Sequence, residues 1–108
     1  RFAFDFLELE AIIREKVALI RKYNIRKHPF FYVLVGFNTS FEQDLYRVNV
    51  LRELDCRAFV MRHENTPKDD HRYIVLARWA NGFEAFMSLA FEEYSTLYRS
   101  HKLGKEGR

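Results

Sequence analysis

What most constrains this chain is a regular alternation between residues spaced for strands and residues spaced for helices. Through Arg1–Phe6 (RFAFDF), Phe2, Phe4 and Phe6 recur at period two, with Ala3 and Asp5 on the opposite face. From Glu8 to Tyr23 the apolar spacing becomes helical, with Leu9, Ile12, Ile13, Val17 and Ile20 at i, i+3, i+4 intervals. Asn24 and the Lys27-His28-Pro29 stretch end that helix, since proline disfavours α geometry in the residue before it. Phe30–Val35 (FFYVLV) is continuously apolar, the pattern of a strand covered on both faces. After the turn Gly36-Phe37-Asn38, either Thr39 with Glu42 or Ser40 with Gln43 makes a capping box, so a helix opens here with Phe41, Leu45, Val48, Leu51 and Leu54 as its apolar face. Asp55-Cys56 breaks it, and Arg57–Arg62 (RAFVMR) reads as a third strand. His63–Asp70 is a polar loop. Two further helices, Tyr73–Ala80 and Phe86–Tyr98, flank Asn81-Gly82.

The order is β-α-β-α-β followed by C-terminal helices, an α/β chain. Strands start near residues 2, 31 and 58, which places them 29 and 27 residues apart, the length of a βα unit. Crossovers of this kind are right-handed and make neighbouring strands parallel. A doubly wound sheet and a wedge of a barrel both satisfy that spacing. With 108 residues and 48% hydrophobic content there is material for one core and no more. Residues 1–101 are expected to form the domain, with 102–108 a frayed basic tail. Three strands leave unpaired edges, so the chain is expected to be a piece of a larger sheet or to associate with a second copy through the exposed edge.

Composition excludes several classes. Cys56 is the single cysteine, so neither a disulfide framework nor a cluster or zinc site made from this chain's thiolates alone is available. A reducing, cytoplasmic setting is the simplest expectation. A formal charge of +3, from 18 basic and 15 acidic residues of mixed order, is a weak footprint for nucleic acid; Lys102, Lys105 and Arg108 supply part of it. No apolar run approaches the roughly 18–20 residues that span a bilayer. The start, Arg1-Phe2-Ala3-Phe4, carries no signal-peptide pattern and reads as cut from something longer.

In parallel α/β sheets ligands bind at the carboxyl ends of the strands. Three segments qualify: Asp5-Phe6-Leu7-Glu8, Gly36-Phe37-Asn38-Thr39-Ser40 and Met61-Arg62-His63-Glu64-Asn65. Asp5 suits a hydrogen bond to a ligand hydroxyl or amine, or a cap on the helix behind it. Gly36 either admits a backbone or flat ligand, because it has no Cβ, or is a plain turn residue before an ordinary N-cap. Arg62 and His63 suit a carboxylate or simple solvation. Asp69-Asp70-His71 are too close together to converge on one metal ion, and Asp70 reads as an N-cap. Neither GxGxxG nor GxxxxGK[ST] occurs, so the usual dinucleotide and P-loop routes are unsupported. Cys56 reads as a small buried hydrophobe, and no nucleophile–base–orienter triad emerges.

The run Tyr32-Val33-Leu34-Val35-Gly36-Phe37-Asn38-Thr39-Ser40-Phe41-Glu42-Gln43-Asp44-Leu45-Tyr46-Arg47, continuing through Val50-Leu51-Arg52-Glu53-Leu54 to Phe59-Val60-Met61-Arg62, resembles the carboxy-terminal half of radical S-adenosylmethionine enzymes. Bacterial members there carry a YVLxGF-T-xEEDxxRxxxLRELG…PYVMRY pattern. Arg78-Trp79-Ala80-Asn81 and Phe91-Glu92-Glu93-Tyr94 resemble the RWxN and FEEY segments that follow it, and Arg1–Asp5 resembles the strand before it. Asp55 stands in place of the pattern's glycine, and Arg57-Ala58 in place of a residue–Pro pair.

The resemblance implies a parallel three-stranded wedge of a partial (β/α)6 barrel. It also implies a [4Fe–4S] cluster on a CxxxCxxC loop that binds S-adenosylmethionine, whose reductive cleavage yields a 5′-deoxyadenosyl radical. CxxxCxxC is absent here. On this resemblance the chain contributes part of the cofactor and substrate pocket, needs the cluster-binding amino-terminal half of the same protein as its partner, and is inactive alone. Asp5, Gly36, Asn38, Met61 and Arg62 match strand-end positions facing S-adenosylmethionine. The alternative is a non-enzymatic α/β interaction domain derived from such a barrel.

Overall fold

The computed structural model describes residues 2–23, 28–64 and 66–106, apart from the side chains of residue 2 and residues 101–106. Two parallel strands form the body of the sheet. These are β2 (Phe30–Val35) and β3 (Arg57–Arg62), in register from Phe30 opposite Arg57 to Val35 opposite Arg62. A two-residue strand, β1 (Phe2–Ala3), pairs parallel with the other side of β2 at Phe31 and Tyr32, giving the order β1-β2-β3.

This corrects the expected three-stranded wedge. Only β2 and β3 make a full ladder, and β1 covers two of the six residues expected of it. Where β1 would continue, side chains take over its bonds. After Phe4 N–H donates to Tyr32 O (2.8 Å), the next N–H of β2 on that side, Leu34, donates to the Asp5 carboxylate Oδ1 (2.9 Å). The Leu34 carbonyl accepts from Arg47 Nη2 (2.9 Å), and Arg47 Nη1 donates to the Phe4 carbonyl. With those backbone groups satisfied by a carboxylate and a guanidinium, nothing holds the chain in a ladder beyond Ala3. Phe4 still points into the core and is fully buried, whereas Phe6, beyond the strand, is 54% exposed.

Arg47 and Asp44 lie three residues apart on α2 (Phe41–Glu53), both fully buried and paired with each other. Asp44 Oδ2 also accepts from Gly36 N–H (3.0 Å), and Oδ1 from Thr39 Oγ1. Burial, and the Asp44 carboxylate to which it hydrogen-bonds, push the Tyr73 phenol above its usual range. One ion pair thus ties α2 to β1, β2, the loop after β2 and α3 (His71–Asn81).

Ser40 caps α2 through a capping box with Gln43, at 3.1 and 2.9 Å, so of the two possible pairings the second is used. A 3-10 turn at Leu7–Leu9 leads into α1 (Glu10–Lys22). The stop expected for this helix at Asn24 and Lys27 lies outside the described residues. After β3 come α3, α4 (Phe83–Ser88) and α5 (Phe91–Glu106), three helices where two were expected. The extra break falls at Leu89, whose extended backbone (ψ 140°) closes α4 and whose carbonyl accepts from Trp79 Nε1 (2.9 Å). Glu93 then caps α5 by accepting from Ala90 N–H (3.0 Å).

The helices bury one face of the sheet. Phe31, Val33 and Val35 of β2 and Ala58 and Val60 of β3 join Ile13, Val17, Val48, Leu51, Leu76 and Trp79 in one core. Trp79 sits edge-on to Phe86 (4.9 Å) and Phe91 (5.5 Å). The other face stays open, so β2 is not the doubly covered strand its composition suggested. Phe30, Tyr32 and Leu34 are only half-buried, and Phe59 and Met61 are about 40% exposed (41% and 38%). At the outer edge of β3 the Asn81 side chain accepts from Val60 N–H (2.7 Å) and donates to Val60 O (3.3 Å), taking both backbone groups at mid-strand.

Removing one member of a buried pair leaves the other's charge uncompensated. Asp44→Ala is therefore expected to lower unfolding free energy by about 3–5 kcal/mol, and Asp44→Asn, which keeps an acceptor, by less. Urea denaturation followed by circular dichroism measures both; a loss below about 1 kcal/mol for Asp44→Ala contradicts the central role given to the pair.

Candidate functional site

Three segments meet at the carboxyl end of the sheet: the chain after β1, the Gly36–Ser40 turn and the loop after β3. The register decides which face each expected site residue serves. Leu34 is opposite Met61, so both belong to the open face, while Asp5, past the end of β1, sets its carboxylate at the edge of β2 on the Leu34 N–H. On the open face an aromatic cluster extends toward the amino end. Phe30 and Tyr32 meet edge-on at 5.3 Å, Tyr32 and Phe59 at 6.0 Å, and Phe30 stacks near Phe59 at 6.3 Å. Asp5 is half-buried; one oxygen holds Leu34 N–H, and the other has no partner among the described residues. Its observed role is to replace a strand bond, which neither the ligand reading nor the helix-cap reading anticipated.

Gly36 has φ +78° and a tightly filled surrounding. A Cβ at this position would lie 2.1 Å from Thr66 Oγ1 and 2.8 Å from Thr66 Cβ. The space expected for a ligand is taken by Thr66, which is buried and donates from Oγ1 to Val35 O (3.2 Å). Asn38, also left-handed at φ 54°, is exposed on the turn. Arg62 shares parity with Ala58 and Val60, so it departs from the face opposite Met61. It lines a pocket of about 330 Å3 with Thr66, Pro67 and Lys68. Of the five expected residues, the structure therefore puts Met61 on the open face and Asp5 at its edge, leaves Asn38 on the rim, and sends Gly36 and Arg62 elsewhere. His63 packs on Phe37 at 4.5 Å, and Asn65 lies outside the described residues.

A second cleft, of about 410 Å3, lies between the 3-10 turn and α2 and is lined by Leu7, Glu10, Glu42, Gln43 and Tyr46. Tyr46 donates to Glu10 Oε1 (2.8 Å) and Arg14 to Glu10 Oε2 (2.9 Å). The Tyr46 hydroxyl first, then Arg14, hold the Glu10 carboxyl below its usual range. This strap joins α1 to α2. Asp70 caps α3 by accepting from Arg72 N–H (3.2 Å) and binds the Arg72 guanidinium, which lies over the Phe41 ring at 4.6 Å. Asp70 thus serves as the N-cap its position suggested.

Cys56 sits at the amino end of β3, away from these loops. Its thiol is fully buried, contacts Leu54 O at 3.6 Å, and burial pushes it up to about 11. A cluster ligand must be a thiolate, and burial keeps Cys56 protonated, so this lone cysteine does not fit that group. Among the described residues no three metal-ligating side chains converge, and none of their helices is long and apolar enough to cross a membrane.

Asp44, Arg47, Thr66, Lys68 and Asn81 were not singled out from sequence. A signal existed for the first two, because Asp44 and Arg47 interrupt the apolar stripe of α2 at positions facing the core. No protein-family model, curated protein or solved structure matches the chain.

Two outcomes follow from this geometry. Gly36→Ala combines a left-handed backbone with a clash on Thr66, and is expected to cost about 1–3 kcal/mol, read as a lowered melting temperature. Cys56 is expected to resist a thiol reagent at pH 8 under native conditions and to react fully in denaturant; rapid native labelling contradicts its burial.

Proposed function

We propose that this chain is the carboxy-terminal part of a radical S-adenosylmethionine enzyme, active only together with a cluster-binding segment of the same protein. What supports the reading is the ordered resemblance from Tyr32 to Arg62 joined to one structural observation. The sheet's open face carries Tyr32, Leu34, Phe59 and Met61, with the Asp5 carboxylate at its carboxyl end. A flat apolar wall with one acceptor at its rim suits a nucleoside: Met61 and Tyr32 would hold the ring, and the second Asp5 oxygen would accept from a ribose hydroxyl or an ammonium. Asn38 closes the rim from the turn. Gly36 acts indirectly, since its N–H fixes Asp44 and its missing Cβ admits Thr66.

The chemistry that the bound cluster and S-adenosylmethionine supply is hydrogen abstraction by a carbon-centred radical. This chain's own contribution is to bind, orient and exclude water. A reducing, cytoplasmic setting belongs to the same reading.

A second reading, an interaction domain without catalysis, is favoured by the exposure of Phe59 and Met61, which a protein partner would cover equally well. The coding sequence upstream of Arg1 and the activity of the chain extended through it separate the two. CxxxCxxC upstream is expected, with release of 5′-deoxyadenosine after anaerobic reconstitution and reduction. Asp5→Asn should raise the S-adenosylmethionine concentration needed for half-maximal release. An upstream frame without those cysteines overturns the enzyme reading.

A further inference from the structure

We propose that the pocket formed by Arg62, Thr66, Pro67 and Lys68 is a binding site for a phosphate group, separate from the open face of the sheet. Charge pairing sets Arg62 apart. Arg14, Arg21, Arg47 and Arg72 are paired with carboxylates. Arg52 donates to Phe86 O, and Arg57 and Arg78 lie over aromatic rings. Among the described residues, Arg62 has no such partner and neither does Lys68. Among the described residues the other arginine without one is Arg99, on α5. Both Arg62 and Lys68 border a cavity of about 330 Å3, which is room for a small anion and the start of what it is attached to.

The cavity wall is fixed rather than loose. Thr66 N–H donates to His63 O (2.9 Å), Thr66 Oγ1 donates to Val35 O (3.2 Å), and the residue seats against Gly36, which has no Cβ to displace it. Asp70 N–H donates to Pro67 O (3.2 Å), closing the turn that presents Lys68. Of the carboxylates on this loop, Asp70 is engaged by Arg72, and Glu64 and Asp69 are exposed and form no ion pair with either cation. Two cations, one of them a planar guanidinium that can bind two oxygens at once, match a phosphate dianion in charge better than a singly charged carboxylate. Because Arg62 leaves β3 on the face opposite Met61, this site and the nucleoside wall are independent. The proposal stands whether or not the chain belongs to a radical enzyme.

Backbone amide resonances followed during titration with inorganic phosphate, a phosphate monoester and acetate test it. Saturable shifts confined to residues near Arg62, Thr66 and Lys68 are expected with both phosphates. Tighter binding of the monoester identifies a group carried on a larger ligand, and equal binding identifies free phosphate. Arg62→Ala and Lys68→Ala are exposed substitutions that leave the fold intact, checked by circular dichroism. Each is expected to weaken binding roughly tenfold, the loss of one charge-assisted contact. Absence of a saturable shift, acetate binding as tightly as phosphate, or insensitivity to both substitutions overturns the proposal.

Discussion

The buried Asp44–Arg47 pair organises this molecule. A guanidinium and a carboxylate with no access to solvent persist only if their donors and acceptors are met by fixed partners. Here those partners are backbone groups from three separate segments: the Phe4 and Leu34 carbonyls and the Gly36 N–H. Thr39 and Tyr73 add to Asp44's partners, while Arg47 Nε is buried without a hydrogen-bond partner. The helix carrying the pair therefore cannot shift against the sheet without stranding charge. The turn after β2 holds its left-handed glycine because Asp44 receives its N–H on one side and Thr66 occupies the space on the other. Local conformation, sheet register and helix placement are coupled through two side chains.

That coupling also explains an asymmetric sheet. Its helix-facing side is dry and closely packed around Trp79, while its opposite side exposes aromatic rings that touch mainly one another. Parallel sheets ordinarily have both faces covered. The open face is thus where this fold has apolar surface to spare, and the loops at its carboxyl end determine which polar groups border that surface. Asp5 borders it; Arg62, one residue past Met61, does not.

The elements were legible in sequence where periodicity and caps agree. The α2 cap at Ser40, β3 at Arg57–Arg62 and the Asp70 cap on α3 follow from residue types whose physics is local. The length of β1 was not legible, because it depends on a guanidinium arriving from 43 residues away. Covering of β2 was misjudged for a related reason: six consecutive apolar residues look alike whether the second face meets helices or remains open. Gly36 shows the limit for sites. A turn glycine signals that something comes close, but only the fold reveals that the neighbour is Thr66. Asp44 and Arg47 were visible as charges in an apolar stripe, which marks a buried pair without naming what it binds.

Asn81 carries a consequence for association. With both Val60 backbone groups held by one amide, the β3 margin has no free hydrogen-bonding pair at its centre to offer another chain. Among the described residues, the sheet margin without such a side-chain block is the short one at β1. Two identical molecules joined there would have to use the same edge from both sides, a two-fold contact that satisfies itself and stops. End-to-end stacking into a filament requires two different open margins, and here the β3 margin is blocked at its centre.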